Sequence, residues 1–137
     1  MTHQAAPPMT YVERFAVDDA ELSALHARAF GGPESSTPWA VRLGRHSVTW
    51  VGAYDADRLV GFVHAVTDGG AHAFLLDTVV DPAYQRQRIG TTLVTHAAAA
   101  VRARGCEWLH VDFKPHLAAF YAGCGFAPTG AGLMRLS

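Results

Sequence analysis

The chain has 137 residues, half of them hydrophobic and 17% charged. That describes one globular domain with enough apolar material for a core, and it excludes a disordered segment. A net charge of −1 and a pI near 6.7 remove any bulk electrostatic case for nucleic acid or an anionic membrane. No run approaches the ~18 apolar residues that span a bilayer, and residues 1–10 lack the basic start and apolar centre of a secretory signal. Cys106 and Cys124 have no zinc spacing and no disulfide framework around them, and the eight histidines are scattered. A reduced, cytoplasmic protein without a metal is therefore expected, as a monomer or homodimer.

Residues 1–9, with Ala5-Ala6-Pro7-Pro8, read as a flexible arm, and 10–137 as a single domain. Tyr11 to Val17 alternates as a first strand. Asp18 and Asp19 offer N-caps for a helix over 19–30, with Leu22, Leu25, His26 and Phe30 on one face and Gly31-Gly32-Pro33 as its stop. Trp39, Val41 and Leu43 suggest a short second helix. The β-rich runs 48–54 and 59–66 flank Asp55-Ala56-Asp57, a hairpin signal, and Gly61 hints at a bulge or a close contact. Asp68-Gly69-Gly70 turns the chain into a strand at 72–80. A helix over 89–104 places Ile89, Leu93, Ala97, Ala100 and Val101 inward and closes on Gly105. A strand at 107–113, a helix from Pro115 to Ala122 and an apolar tail (Leu133, Met134, Leu136) complete the chain. Strand–helix–strand at this spacing implies a right-handed parallel crossover between 72–80 and 107–113.

The most informative stretch lies between the crossover strand and its helix. Pro82 removes a backbone donor and ends the strand after Val80-Asp81. A loop with two arginines, Arg86 and Arg88, then reaches a helix N-terminus, where free N–H groups favour anions by roughly 0.3–1 kcal/mol each. This is a phosphate cradle in outline. No Gly-Lys-Ser/Thr follows, so it is not a nucleotide P-loop. Gly90 is the only glycine between Gly70 and Gly105, so it is not a dinucleotide fingerprint.

Gln85, Arg88, Gly90 and the preceding Val80-Asp81-Pro82 resemble the acyl-CoA motif of the GNAT superfamily of N-acetyltransferases, Gln/Arg-x-x-Gly-x-Gly/Ala after a Val-x-Pro strand end. Arg88 stands where that family prefers its first glycine. Phe120-Tyr121-Ala122-Gly123-Cys124-Gly125-Phe126 is similar to the family's second signature, at the expected distance downstream. The resemblance implies an α/β fold with a central mixed sheet of about six or seven strands and three or four helices. The strands at 72–80 and 107–113 would splay into a V-shaped slot near Val80. It further implies acetyl-CoA as acyl donor and a primary amine as acceptor, reacting directly in a ternary complex. Pantetheine would pair with the backbone of Thr78, Val79 and Val80, and the diphosphate would sit on Gln85, Arg86, Gln87, Arg88, Ile89, Gly90 and Thr91. A non-catalytic acyl-CoA-binding module or sensor of the same fold is the alternative.

Tyr121 has two open readings: a proton donor to the departing thiolate, or a buried aromatic whose hydroxyl finds a partner. The acceptor raises a second question, since an alkylamine with pKa near 10.4 is neutral about once in 2,500 at pH 7, a penalty of roughly 4.6 kcal/mol. Asp77 and His110 are the candidate bases, with a water chain as the other option. Members of the family often carry an acidic residue at the position of Asp77, and His110 lies on the neighbouring strand.

Overall fold

The computed structural model describes residues 9–33 and 35–137, so the expected arm at 1–9 lies, apart from Met9, outside the described residues. Five strands form one sheet in chain order: β1 (Thr10–Glu13), β2 (Thr49–Asp55), β3 (Arg58–Thr67), β4 (His72–Val80) and β5 (Trp108–Val111). All neighbours are antiparallel except β4 and β5, which run parallel across the expected crossover. Four helices complete the fold: α1 (Asp19–Phe30), α2 (Trp39–His46), α3 (Ile89–Ala103) and α4 (Ala118–Gly123).

The expected six or seven strands are thus corrected to five. Residues 127–137 pair with no strand, and Leu133 and Leu136 are 93% and 92% exposed. Pro128, Gly130 and Gly132 interrupt the approach to this apolar run, and the far edge of β5 has no partner among the described residues. β1 is also shorter than expected. Arg14 takes a left-handed conformation (φ 54) that ends the strand and swings Phe15 into the core.

The sheet is covered on both faces. On one, α3 lays Ile89, Leu93, Val94 and Ala97 over Val60, Val63 and Leu75. Gly61 is required there, since a Cβ would come within 2.9 Å of Leu93 Cδ1 and 3.1 Å of Ile89 Cγ2. On the other face, Leu22 and Leu25 of α1 and Trp39 and Leu43 of α2 close over Phe15, Leu59, Phe62 and Val79. The cap of α1 is as expected, with the Asp18 side chain accepting from Glu21 N at 3.0 Å, whereas Asp19 reaches across to Ala40 N at 2.8 Å and ties α2 to α1.

Two irregularities in β4 position everything that follows. Pairing with β3 runs Phe62↔Val79 and His64↔Leu76, so Asp77 and Thr78 together oppose the single residue Val63. This bulge puts Asp77 at φ 56, a left-handed conformation that aspartate tolerates better than most side chains. Pairing with β5 stops at Leu75↔Val111, so residues 76–80 have no sheet partner on that side among the described residues. The opening therefore begins at the bulge, several residues before Val80.

Candidate active site

The bulge sends neighbouring side chains to opposite faces. Asp77 points towards α1 and becomes the centre of a polar network built from four elements. His26 Nε2 of α1 lies 3.1 Å from Asp77 Oδ1, and His64 Nε2 of β3 lies 2.7 Å from Asp77 Oδ2. Ser47, just after α2, contacts His64 Nδ1 at 2.8 Å. His64 is 2% exposed and stacks on Phe62, while His26 is partly open and packs against Phe30 and Trp39. Burial pushes the Asp77 carboxyl up. The hydrogen bonds and positive charge of His64 and His26 outweigh it and hold the pKa at about 2. Asp77 is thus an ionised carboxylate with both oxygens engaged.

His26 also lines an open cavity of about 90 Å³ between α1, the segment after it and α2, together with Ser23, Phe30, Thr37 and Trp39. Trp39 Nε1, in the same wall, is the one buried side-chain polar atom without a hydrogen-bond partner among the described residues. An orphaned donor costs about 1–3 kcal/mol.

Thr78 faces the other way, towards Tyr121 of α4. Tyr121 is buried among Phe113, Phe120 and Phe126. Burial first, and Cys124 second, raise its phenol above the ordinary tyrosine range, against the opposing pull of the Thr78 hydroxyl. Tyr121 therefore holds its proton at neutral pH.

Beyond the bulge, Asp81 closes β4. Its side chain accepts from Ala83 N at 2.9 Å and pairs with Arg28 of α1 at 3.1 Å and Arg58 of β3 at 3.3 Å. Burial opposes its ionisation, but the Ala83 amide and the two guanidinium groups lower the pKa all the same. The loop then delivers the cradle. The N–H groups of Ile89, Gly90 and Thr91 in the first turn of α3 donate to no acceptor among the described residues, and the first bond of α3 is Thr92 N to Arg88 O at 3.1 Å. Arg86 and Arg88 are exposed and unpaired with any described carboxylate. Both are left-handed, at φ 66 and 61, and that conformation is what a glycine supplies without strain. The departure at Arg88 keeps the backbone shape and adds a charge. Gln85 turns back to donate to Val80 O at 3.1 Å. Val79 and Ile89 bury their side chains, so each offers a ligand only backbone. Gly90 is fixed by packing: a Cβ there would sit 3.0 Å from Phe120 Cζ.

His110 is not brought to Asp77. Its register partner is Phe74, on which it stacks, and its Nε2 lies 2.6 Å from His72 Nδ1 on an open part of the sheet. His26, His64 and Ser47 were not expected near the site. A histidine on the otherwise apolar face of α1 was the available signal for the first, and nothing marked the other two.

Comparison with known proteins places this arrangement. Residues 20–126 match the model of the acetyltransferase (GNAT) family. The chain belongs to that family. Serotonin N-acetyltransferase 2, chloroplastic, from Oryza sativa subsp. japonica is 30% identical over 115 residues, 81% of this chain and 57% of the relative. The chain thus spans little more than half the length of that relative. Among solved structures, an acetyltransferase of Trypanosoma brucei superposes with a TM-score of 0.78 at 22% identity, covering 95% of this chain and 99% of the other. The aminoglycoside N-acetyltransferase AAC(6')-Iy in complex with CoA gives 0.75 at 15% identity, with 95% of each chain covered. These likenesses establish the GNAT fold. No helix among the described residues is long and apolar enough to cross a membrane.

Proposed function

We propose that this GNAT protein is an N-acetyltransferase that moves an acetyl group from acetyl-CoA to a small primary amine in a ternary complex. The observation that carries the reading is the end of β4. There, among the described residues, the edge of β4 at 76–80 has no partner on the β5 side and leads through a loop with two unpaired arginines to the free backbone amides of Ile89, Gly90 and Thr91. An extended pantetheine arm is a strand-like partner for the first, and a diphosphate is the natural occupant of the second. The unpaired edge starts at the bulge, so the thioester end of the arm would lie beside Asp77 and Thr78. Tyr121, protonated and next to Thr78, is then placed to give a proton to the departing thiolate.

The rings of His26, Phe30 and Trp39 around the neighbouring cavity suit an amine with a flat apolar body. The serotonin acetyltransferase relative supports the same class. The test is release of CoA thiol from acetyl-CoA in the presence of serotonin, glucosamine 6-phosphate, an aminoglycoside and a lysine peptide, each in turn. Acetylated product from at least one is expected, with the aromatic amine favoured. Tight CoA binding with no amine-dependent thiol release would instead make the domain a holder of acyl-CoA.

A further inference from the structure

We propose that His26 receives the proton of the acceptor ammonium through Nδ1, with Asp77 as the positioning residue that fixes its ring. The proposal rests on the acetyltransferase reading above and names the group within the site that activates the nucleophile.

Geometry removes the other side-chain candidates. Asp77 has each oxygen committed to an imidazole, at 3.1 and 2.7 Å. His64 is 2% exposed with Nε2 on Asp77 and Nδ1 on Ser47. His110 is paired with His72 away from the bulge. Among the described residues around the bulge, His26 alone combines access with a free nitrogen. Its Nε2 faces an ionised carboxylate and so carries the hydrogen, which leaves the lone pair on Nδ1. That nitrogen has no hydrogen-bond partner among the described residues, and the ring lines the cavity between α1 and α2. The titratable groups facing His26 are Asp77 from β4 and His64 from β3, and the described cavity lining adds none. The arrangement, carboxylate to imidazole to cavity, is that of a base held in one tautomer by a fixed partner.

The step balances as follows. R–NH₃⁺ gives one proton to Nδ1, forming an imidazolium that Asp77 stabilises. The free amine then attacks the thioester carbonyl carbon, forming C–N, and the tetrahedral intermediate breaks C–S. The thiolate takes a proton from Tyr121, which regains one from the nitrogen. The products are R–NH–acetyl, CoA thiol and the proton on His26, which passes to solvent.

The test is a pH–rate profile of kcat/KM for the panel amine with the highest turnover, with acetyl-CoA saturating. His26→Gln keeps an amide donor for Asp77 and so preserves the fold, checked by thermal melting and CoA affinity. It should lose roughly 10²–10⁴-fold at pH 7. Its activity should climb about tenfold per pH unit up to the amine's own pKa, where wild type has levelled off. Asp77→Asn should lower kcat while leaving KM for the amine and the affinity for CoA nearly unchanged, because the ring of His26 is no longer fixed with its Nδ1 lone pair towards the cavity. That split between kcat and KM is one a merely structural role would not produce. A folded His26→Gln enzyme with wild-type rate and profile overturns the assignment of His26 alone. Wild-type protein that binds CoA but acetylates no amine overturns the acetyltransferase reading along with it.

Discussion

The acid titration of Asp77 is the sharpest consequence of the network at the bulge. Its carboxyl is held at about 2 against an ordinary 3.8 by hydrogen bonds and charge from His64 and His26, despite burial. A folded-state pKa below the unfolded one means that the unfolded chain binds the extra proton first. The stabilisation is therefore complete above pH ~4 and is lost as pH falls towards 2. At 1.36 kcal/mol per pH unit, the shift is worth about 2 kcal/mol at neutral pH. Asp77→Asn removes the titration while keeping a side chain that tolerates the left-handed backbone at φ 56. Urea denaturation of both proteins from pH 2 to 7 isolates the effect, because every other carboxylate, Asp81 included, cancels in the difference. The stability gap between wild type and Asp77→Asn should shrink by about 2 kcal/mol between pH 5 and pH 2. Parallel curves would mean that the histidines do not hold the carboxylate, and the basis for placing Asp77 behind His26 would go with them.

Tyr121→Phe keeps the ring's packing and removes only the proton, so acetyl-CoA should bind normally while the transfer step, read by rapid quench, slows roughly 10²–10⁴-fold. A chemical step within a few-fold of wild type would leave Tyr121 as a core aromatic. Arg86→Ala with Arg88→Ala should weaken CoA much more than pantetheine and flatten the salt dependence of CoA binding, both by calorimetry. Arg88→Gly relieves a left-handed side chain (φ 61) costing about 1–2 kcal/mol and adds back about 1 kcal/mol of unfolded-state entropy. Its melting temperature should therefore hold or rise slightly even as CoA weakens. Gly90→Val should cost about 1–3 kcal/mol by driving a side chain into Phe120, with part of the loss restored by Phe120→Leu. CoA affinity in the repacked double variant reads the cofactor site free of that clash.

Where local chemistry dictates structure, the sequence was easy to read. Asp18 capping α1, Leu22 and Leu25 at helical spacing, and Gly31 at φ 73 closing it all follow from short-range rules. The inward face of α3 and the parallel crossover came from periodicity and spacing alone. The tail at 133–136 has strand-like composition, but a strand also needs an edge within reach, which composition does not encode. The candidate site was half legible. Asp77 and Tyr121 stood within motifs, while His26 and His64 lie 51 and 13 residues from Asp77 along the chain and meet it only because β4 carries an extra residue. That bulge has no glycine to advertise it. Its one signal is an aspartate between an apolar run and three β-branched residues, poor for a strand and good for a left-handed turn.

The bulge also works as a ruler. Asp77 and Thr78 are joined by one peptide bond yet serve opposite sides of the sheet, the first the proposed amine and the second the proposed leaving group. The spacing between those two residues is set by the one peptide bond and by the bulge. On the proposed reading, substitutions in α1, α2 and the segment between them bear on the amine and leave Thr78 and Tyr121 untouched. A protein engineer can redraw the cavity around Phe30 and Trp39 on the same terms, provided that β4 keeps its one extra residue.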